Sequence, residues 1–476
     1  MTKLIVIYDD SIKASGRVKN ILGEKSFGSM ILKRQSMLSR TKKLVKSVKN
    51  LDIINLKDLE SFDVNTFAPN TLFFHFFASS AVVSPEDFIV LLEKLLYAKD
   101  NFIVKDNNTI HGAFFKNRSA YSEFLNEYKN QNNLNFLQCN TIITNTFIDL
   151  SDYNTLLMYI SSGFDARYFN SLQGDKYTVT KRSADKTKMK KEYTYYWLLP
   201  EAMKNWMVMP YDYQETPEWA SYTMERMPMT DIAIRWTHGA IDNEELKNIL
   251  DKTFYFLNNR AQKQVSKEEY QKTRNALYLD KLDQRIQDLK KLPEYQQLSQ
   301  MITSGTDFDS IDSVIEYYKK LYSKIIKTTK TPSISVIGHG DVFFANMLYS
   351  KELNLLRLID PKGALKEADL WTDPYYDVAK LSHSICGNYD FFNTNSYSIN
   401  LNRSMHFELS VFFDNTKAKD IFREYLAKNG YNYTLVRIYE ASLFLSMLPL
   451  HIDNPHKVFG FILNAINILK EVEQNV

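Results

Sequence analysis

Cysteine is scarce in this chain, with only Cys139 and Cys386 in 476 residues. That count excludes a disulfide framework and a thiolate-built structural zinc site, and it fits a reducing compartment; both side chains are read as core packing. Long apolar runs are missing too. No segment reaches the roughly eighteen uninterrupted apolar residues of a membrane-spanning helix. The opening "MTKLIVIYDDS" turns acidic after about six apolar positions, too few for a secretory signal. The expectation is a soluble, cytoplasmic protein with no transmembrane segment. An excess of one charge is equally absent: 59 Lys and Arg face 56 Asp and Glu, a formal net charge of +3. A field that small does not gather nucleic acid. The basic runs Arg40 to Asn50 and Lys186 to Glu192 have helical spacing and read as solvated faces, so no nucleic-acid partner is expected.

Apolar material is plentiful, at 44% hydrophobic and 14% aromatic residues, and the length favours roughly two or three domains. Residues 1–145 alternate strand-like and helix-like patterns, which predicts an α/β domain. "KLIVIYD" and "TLFFHFFAS" read as strands, and "SRTKKLVKSVKN" and "PEDFIVLLEKLLYAKD" as helices. Ser84 is the expected cap of the last of these, ahead of Pro85, Glu86 and Asp87. The asparagine-rich "NEYKNQNNLNF" is read as a linker. Residues 149–230 predict a small lobe of five short antiparallel strands, hinged at Gly174 and Asp175, with one helix from about Lys186 to just before Pro200. Residues 231–476 are mainly helical.

"VIGHGDVFFANMLYS", Val336 to Ser350, interrupts a strand-like run with His339, Gly340, Asp341 and Asn346, and Asp360 ends the next strand. Burying unpaired carboxylates is costly, so a cluster of two carboxylates and a carboxamide implies a cation, a proton-transfer task, or both. Hard oxygen ligands suit Mg²⁺, which takes one or two protein groups and completes its shell with water and phosphate oxygens. That points to a nucleotide.

At these residues the chain resembles the aminoglycoside phosphotransferase and choline kinase group, which shares the protein kinase fold. "HGDVFFAN" matches the group's catalytic loop, "LIDPKG" its metal-binding aspartate, and "TDPYYDVAKLSH" its downstream acidic segment. A weaker match runs upstream through Lys181, Glu192 and "YTMERMP". The resemblance covers about Asp149 to the C-terminus. It implies an α+β, protein-kinase-like fold with a small antiparallel sheet lobe and a large helical lobe, and an ATP- and Mg²⁺-dependent transfer of phosphate to a small-molecule hydroxyl. On that resemblance Asp341 is the base, and Asn346 and Asp360 hold Mg²⁺. Lys181, paired with Glu192, meets the inner phosphates, Gly163 lets backbone amides approach them, and Glu225, Arg226 and Met227 line the adenine slot. Asp377 and His339 brace the loop from behind. His383 and Asp390 receive no role.

The residues leave the acceptor open between aminoglycoside-like, amino-alcohol and sugar classes, with Asp369, Trp371, Asp373, Tyr375 and Tyr376 nearby. Chains with an α/β domain ahead of this fold resemble bacterial surface or capsular polysaccharide biosynthesis proteins, which implies a sugar or other small hydroxyl acceptor. A catalytically silent scaffold in such an assembly is the alternative. The first domain vaguely resembles a reduced nucleotidyltransferase, but "YDDSIKASGRVKN" offers only Gly16 and Arg17 where an activating loop is needed. Asp9 and Asp10 lack the spacing of a phosphatase nucleophile. The expectation there is a non-catalytic domain for homodimer formation or for docking a biosynthetic partner.

Overall fold

The computed structural model describes residues 3–32, 34–131, 139–162, 170–174, 177–331 and 333–475. It divides into two compact units, residues 1–164 with 238–240, and residues 165–237 with 241–476. Among the described residues no helix is long and apolar enough to cross a membrane.

The first unit is built on a six-stranded mixed sheet. Across it the strands run Leu51–Leu56, Leu4–Asp9, Leu72–Phe77, Ile110–Phe115, Phe102–Lys105 and Asn140–Ile143. Leu4–Asp9 pairs in parallel with both its neighbours, and every one of its six residues is buried. That is why it reads as an unbroken apolar run, since a central parallel strand is covered on both faces. One face packs Ile5, Ile7, Phe73 and Phe115 against Tyr121, Phe124 and Tyr128 of helix Arg118–Gln131.

That helix and the edge strand Leu51–Leu56 are additions to the sequence reading. Asp52 and Asn55 break the strand's apolar pattern, and polar residues on the outer face of the helix disguise the aromatic one. Residues 126–131, taken as the start of a linker, form its last turns; the remainder of that linker lies outside the described residues, as do Gly163 and Asp175. Helix Pro85–Leu95 forms as expected, but the Ser84 side chain accepts no backbone bond. Its hydroxyl donates to Asp87 instead, at 2.6 Å. Cys386 is buried, whereas Cys139 is half-buried and so is no core residue.

The second unit is α+β, with a small sheet lobe followed by a large helical lobe, the arrangement the resemblance implies. Among the described residues the sheet has four antiparallel strands, ordered Asn170–Gly174, Thr178–Ser183, Ala220–Glu225 and Pro210–Glu215; part of the segment in which a fifth was expected lies outside them. Helix Lys186–Leu198 packs on it and is capped by Asp185, whose carboxylate accepts from the Lys188 amide. Its hydrophobic face contributes Met189, which meets Ala220 and Tyr222 of the sheet.

The helical lobe centres on Tyr433–Ser446 and Pro455–Gln474, two helices that are buried along most of their length. Tyr278 stacks flat on Tyr439, with ring centroids 3.7 Å apart. Helix Ile311–Thr328 opens with a capping box made by Ser310 and Ser313, which satisfies otherwise orphaned amides at its first turn.

Candidate active site

The strand Ile334–Ile337 ends at a loop that turns through Gly340 and Asp341 into a short 3₁₀ turn, Phe344–Asn346. A hairpin follows, pairing Met347–Ser350 with Leu355–Leu358. Beyond the hairpin's last pair the Ile359 amide donates to the Asn346 carbonyl at 3.0 Å. Asp360 therefore leaves the hairpin one residue beyond this bond to Asn346, although it follows Asp341 by nineteen residues in the chain. Its φ of +56° is left-handed, a conformation that aspartate tolerates better than most side chains but that still costs on the order of 1 kcal/mol.

Gly340 and Gly363 make the loop possible. Gly340 has φ +81°, and a Cβ there would sit 2.6 Å from that of Lys362. Gly363 has φ +82°, and its Cβ would stand 2.6 Å from the Lys191 carbonyl carbon. This lets the segment after Asp360 lie against helix Lys186–Leu198, where the Ala364 amide donates to the Lys191 carbonyl at 3.0 Å. The two lobes of the second unit meet at this contact.

Asp341 is held on both sides. Asn346 Nδ2 donates to its Oδ2 and to its main-chain carbonyl, each at 3.0 Å. Lys380 Nζ lies 2.9 Å from its Oδ1. Lys181, from the small sheet, joins the group: its ammonium donates to Glu192 Oε2 at 2.7 Å and stands 2.9 Å from Asp360 Oδ1. Tyr222 also donates to Glu192, at 2.8 Å. Burial works against the ammonium, but Asp360 and Glu192 outweigh it and hold Lys181 above its ordinary value.

Behind the loop, Asp377 accepts from the His339 amide at 3.0 Å and the Gly340 amide at 2.7 Å. Arg260 closes the arrangement, donating to Asp377 Oδ2 at 2.8 Å and to the Pro374 carbonyl at 3.1 Å. His339 is wholly buried, which pushes its imidazole below the ordinary value; Nδ1 accepts from the Asp341 amide at 3.3 Å. Glu225 ends the third sheet strand and Arg226 and Met227 follow it; the Arg226 amide donates to the Tyr177 carbonyl and the Met227 carbonyl accepts from the Met229 amide.

Lys380, like Arg260, is a residue that sequence reasoning missed. It lies three positions after Asp377 on helix Tyr375–Ile385, a spacing that puts both on one helical face. That was the available signal. Tyr376, on the same helix, has three lysines around it. Burial would raise its phenol, but Lys281, Lys380 and Lys362 together bring it below the ordinary tyrosine value. Asp373, by contrast, is fully buried and spent on the Tyr375 amide at 2.7 Å, so it is not an acceptor ligand.

The oxygen donors fit Mg²⁺. Asn346 turns its amide nitrogen to Asp341, leaving its carbonyl oxygen for other use. Asp360 engages Lys181 through Oδ1, and no hydrogen-bond donor among the described residues reaches its other oxygen.

Asp9 and Asp10 of the first unit are engaged internally. Asp9 takes bonds from His75 Nε2, Tyr128 and Ser11, and Asp10 from Ser26 and the Gly28 amide. Arg17 lies over the Tyr153 ring. A depression of about 590 Å³ at Asp100, Asn101, Cys139 and Asn140 gathers no comparable set of groups.

Two further acids lie near the loop. Asp231 and Asp390 are buried, and burial pushes each up to about 7, with the Asp390 charge adding to the effect on Asp231. A carboxyl raised on folding stabilises the fold below its unfolded value near 4, and that stability is lost as pH climbs toward 7. Asp390→Asn is accordingly expected to raise the melting temperature at pH 8 and leave it nearly unchanged at pH 4. Melting curves at the two pH values check this, and equal shifts would contradict it.

No protein-family model and no curated protein sequence matches the chain. Among solved structures it is similar to a thermostable mutant of aminoglycoside phosphotransferase APH(4)-Ia, with 12% identity, TM-score 0.36, and coverage of 63% of this chain and 94% of that one. It is also similar to aminoglycoside phosphotransferase APH(3'')-Id from Streptomyces rimosus in complex with ADP and streptomycin, with 16% identity, TM-score 0.34, and coverage of 62% and 96%. The GDP complex of aminoglycoside 2'-phosphotransferase-IIIa gives 13% identity, TM-score 0.36, and coverage of 65% and 90%.

Proposed function

We propose that the second unit is an ATP- and Mg²⁺-dependent phosphotransferase that phosphorylates a hydroxyl of a small molecule. The observation that carries this reading is the convergence of Asp341, Asn346, Asp360 and Lys181 where the two lobes of the unit meet. Phosphoryl transfer asks a protein mainly to position groups and to stabilise charge, and this set supplies both. Asp341 takes the hydroxyl proton as the acceptor oxygen forms its bond to the terminal phosphorus. The bond from that phosphorus to the bridging oxygen breaks, and ADP leaves with the electron pair. Asn346 and Asp360 would hold Mg²⁺, which supplies neutralisation of charge on the phosphate oxygens when bound. Lys181 presents a fixed ammonium to the inner phosphates, kept in place by Glu192. Asp377, itself fixed by Arg260, holds the loop amides so that Asp341 is presented in one orientation. Backbone groups of Glu225, Arg226 and Met227 line the adenine slot in this reading, and the polysaccharide resemblance keeps sugars among the candidate acceptors.

The test is nucleotide-dependent stabilisation. At 100 times its dissociation constant MgATP stabilises a fold by about 2.7 kcal/mol, which is a readily measured rise in melting temperature. Asp360→Ala is expected to abolish most of that rise in the presence of Mg²⁺. It should change little when EDTA replaces the metal, because the lost group acts through it. No shift with wild-type protein at millimolar MgATP would favour the silent scaffold.

A further inference from the structure

Three lysines from separate parts of the helical lobe surround Tyr376 beside the Asp341 carboxylate. Lys281 donates to the Tyr376 hydroxyl at 3.1 Å, and its Nζ lies 5.6 Å from the ring centroid. Lys362 Nζ lies 5.9 Å from the same centroid. Lys380, one turn further along the Tyr376 helix, bonds Asp341. Among the described residues Asp341 is the only carboxylate in ion-pair range of any of the three, through Lys380. Lys362 is exposed and Lys281 half-buried.

Three cations close together, with a carboxylate paired to one of them, repel one another, and that cost is relieved by an anion. A chain with nearly balanced charge has no general surplus of lysine to explain the grouping. A low-dielectric wall lined by one sign of charge concentrates the opposite sign from solution. A polycationic acceptor would meet like charge here, at a cost that a neutral or acidic one avoids.

We propose that Lys281, Lys362 and Lys380 form the acceptor-binding edge of the site, and that the acceptor is a small hydroxyl compound carrying a carboxylate or phosphate group. Its anionic group lies on Lys281 and Lys362, with the reacting hydroxyl turned to Asp341. This rests on the phosphotransferase reading for the word acceptor, while the anion preference rests on the lysines alone.

The experiment is calorimetric titration of the full chain, with and without saturating MgADP, using glucuronate, glucose 6-phosphate, glucose and glucosamine. The expected result is that one or both anionic sugars bind at least tenfold more tightly than glucose, and glucosamine no better than glucose. The two anions separate a carboxylate site from a phosphate site. Lys281→Ala and Lys362→Gln, both at accessible positions, are each expected to weaken the preferred anion by roughly tenfold, the worth of one charge-assisted hydrogen bond. No binding by either anion, equal binding of all four sugars, or preference for glucosamine would overturn the proposal. So would variants that leave anion binding unchanged but weaken MgAMP-PNP relative to MgADP, since the lysines would then serve the terminal phosphate. Failure of MgADP itself to bind would sink the phosphotransferase reading, and the titrations without nucleotide would still decide the anion question.

Discussion

Asp341→Asn is expected to lower phosphoryl transfer by about 10²- to 10⁴-fold, the usual worth of a positioned base, while MgATP continues to bind within a few-fold of wild type. The carboxylate of Asp341 only accepts hydrogen bonds, and both its oxygens face donors, Lys380 Nζ at 2.9 Å and Asn346 Nδ2 at 3.0 Å. An asparagine must turn its own NH₂ toward one of them. The substitution thus removes the proton acceptor and also sets two donors face to face, which disturbs the metal-side carboxamide or the lysine. The melting temperature of the variant separates the two effects. A loss of turnover with a melting temperature within a few degrees of wild type assigns the deficit to chemistry. Turnover within tenfold of wild type, measured as ADP release with an accepted substrate, would remove Asp341 from the mechanism.

Much of this site was legible in the sequence because its residues sit in short, ordered spacings. Asp341 and Asn346 share one loop, Asp360 follows one hairpin later, and Asp377 begins the next helix. The hairpin register carries Asp360 back to Asn346, and only its existence had to be inferred. Lys181 and Glu192 are eleven residues apart on a strand and a helix, and pairing them required the expectation of a lobe in which that helix crosses that sheet. What stayed illegible was long-range or hidden by polarity. Arg260 lies 117 residues before Asp377, and nothing in its surroundings marks it as the buried partner. Lys281 and Lys362 reach Tyr376 from two segments that periodicity alone cannot bring together. Strand Leu51–Leu56 was obscured because an edge position accepts Asp52 and Asn55, which weaken the alternation that announces a strand.

Asp377→Ala is expected to be the most destabilising single substitution near the site, by about 3–5 kcal/mol, because it strands a buried guanidinium. The side chains of Arg260 and Asp377 are both 0% exposed, so neither water nor a counter-ion replaces the lost carboxylate. Two loop amides, those of His339 and Gly340, lose their acceptor in the same step. The loss therefore has two parts, which different variants separate. Asp377→Asn keeps one carbonyl oxygen for an amide but gives up the charge, and it should melt between wild type and Asp377→Ala. Arg260→Met combined with Asp377→Asn removes the stranded cation, and it should recover stability relative to Asp377→Ala without restoring the grip on both amides. Transfer activity should then stay low in the double variant while its melting temperature rises, because holding the catalytic loop and balancing the buried charge are separate tasks of one carboxylate. If activity and melting temperature recover together, the carboxylate serves stability alone and the loop needs no anchor at Asp377.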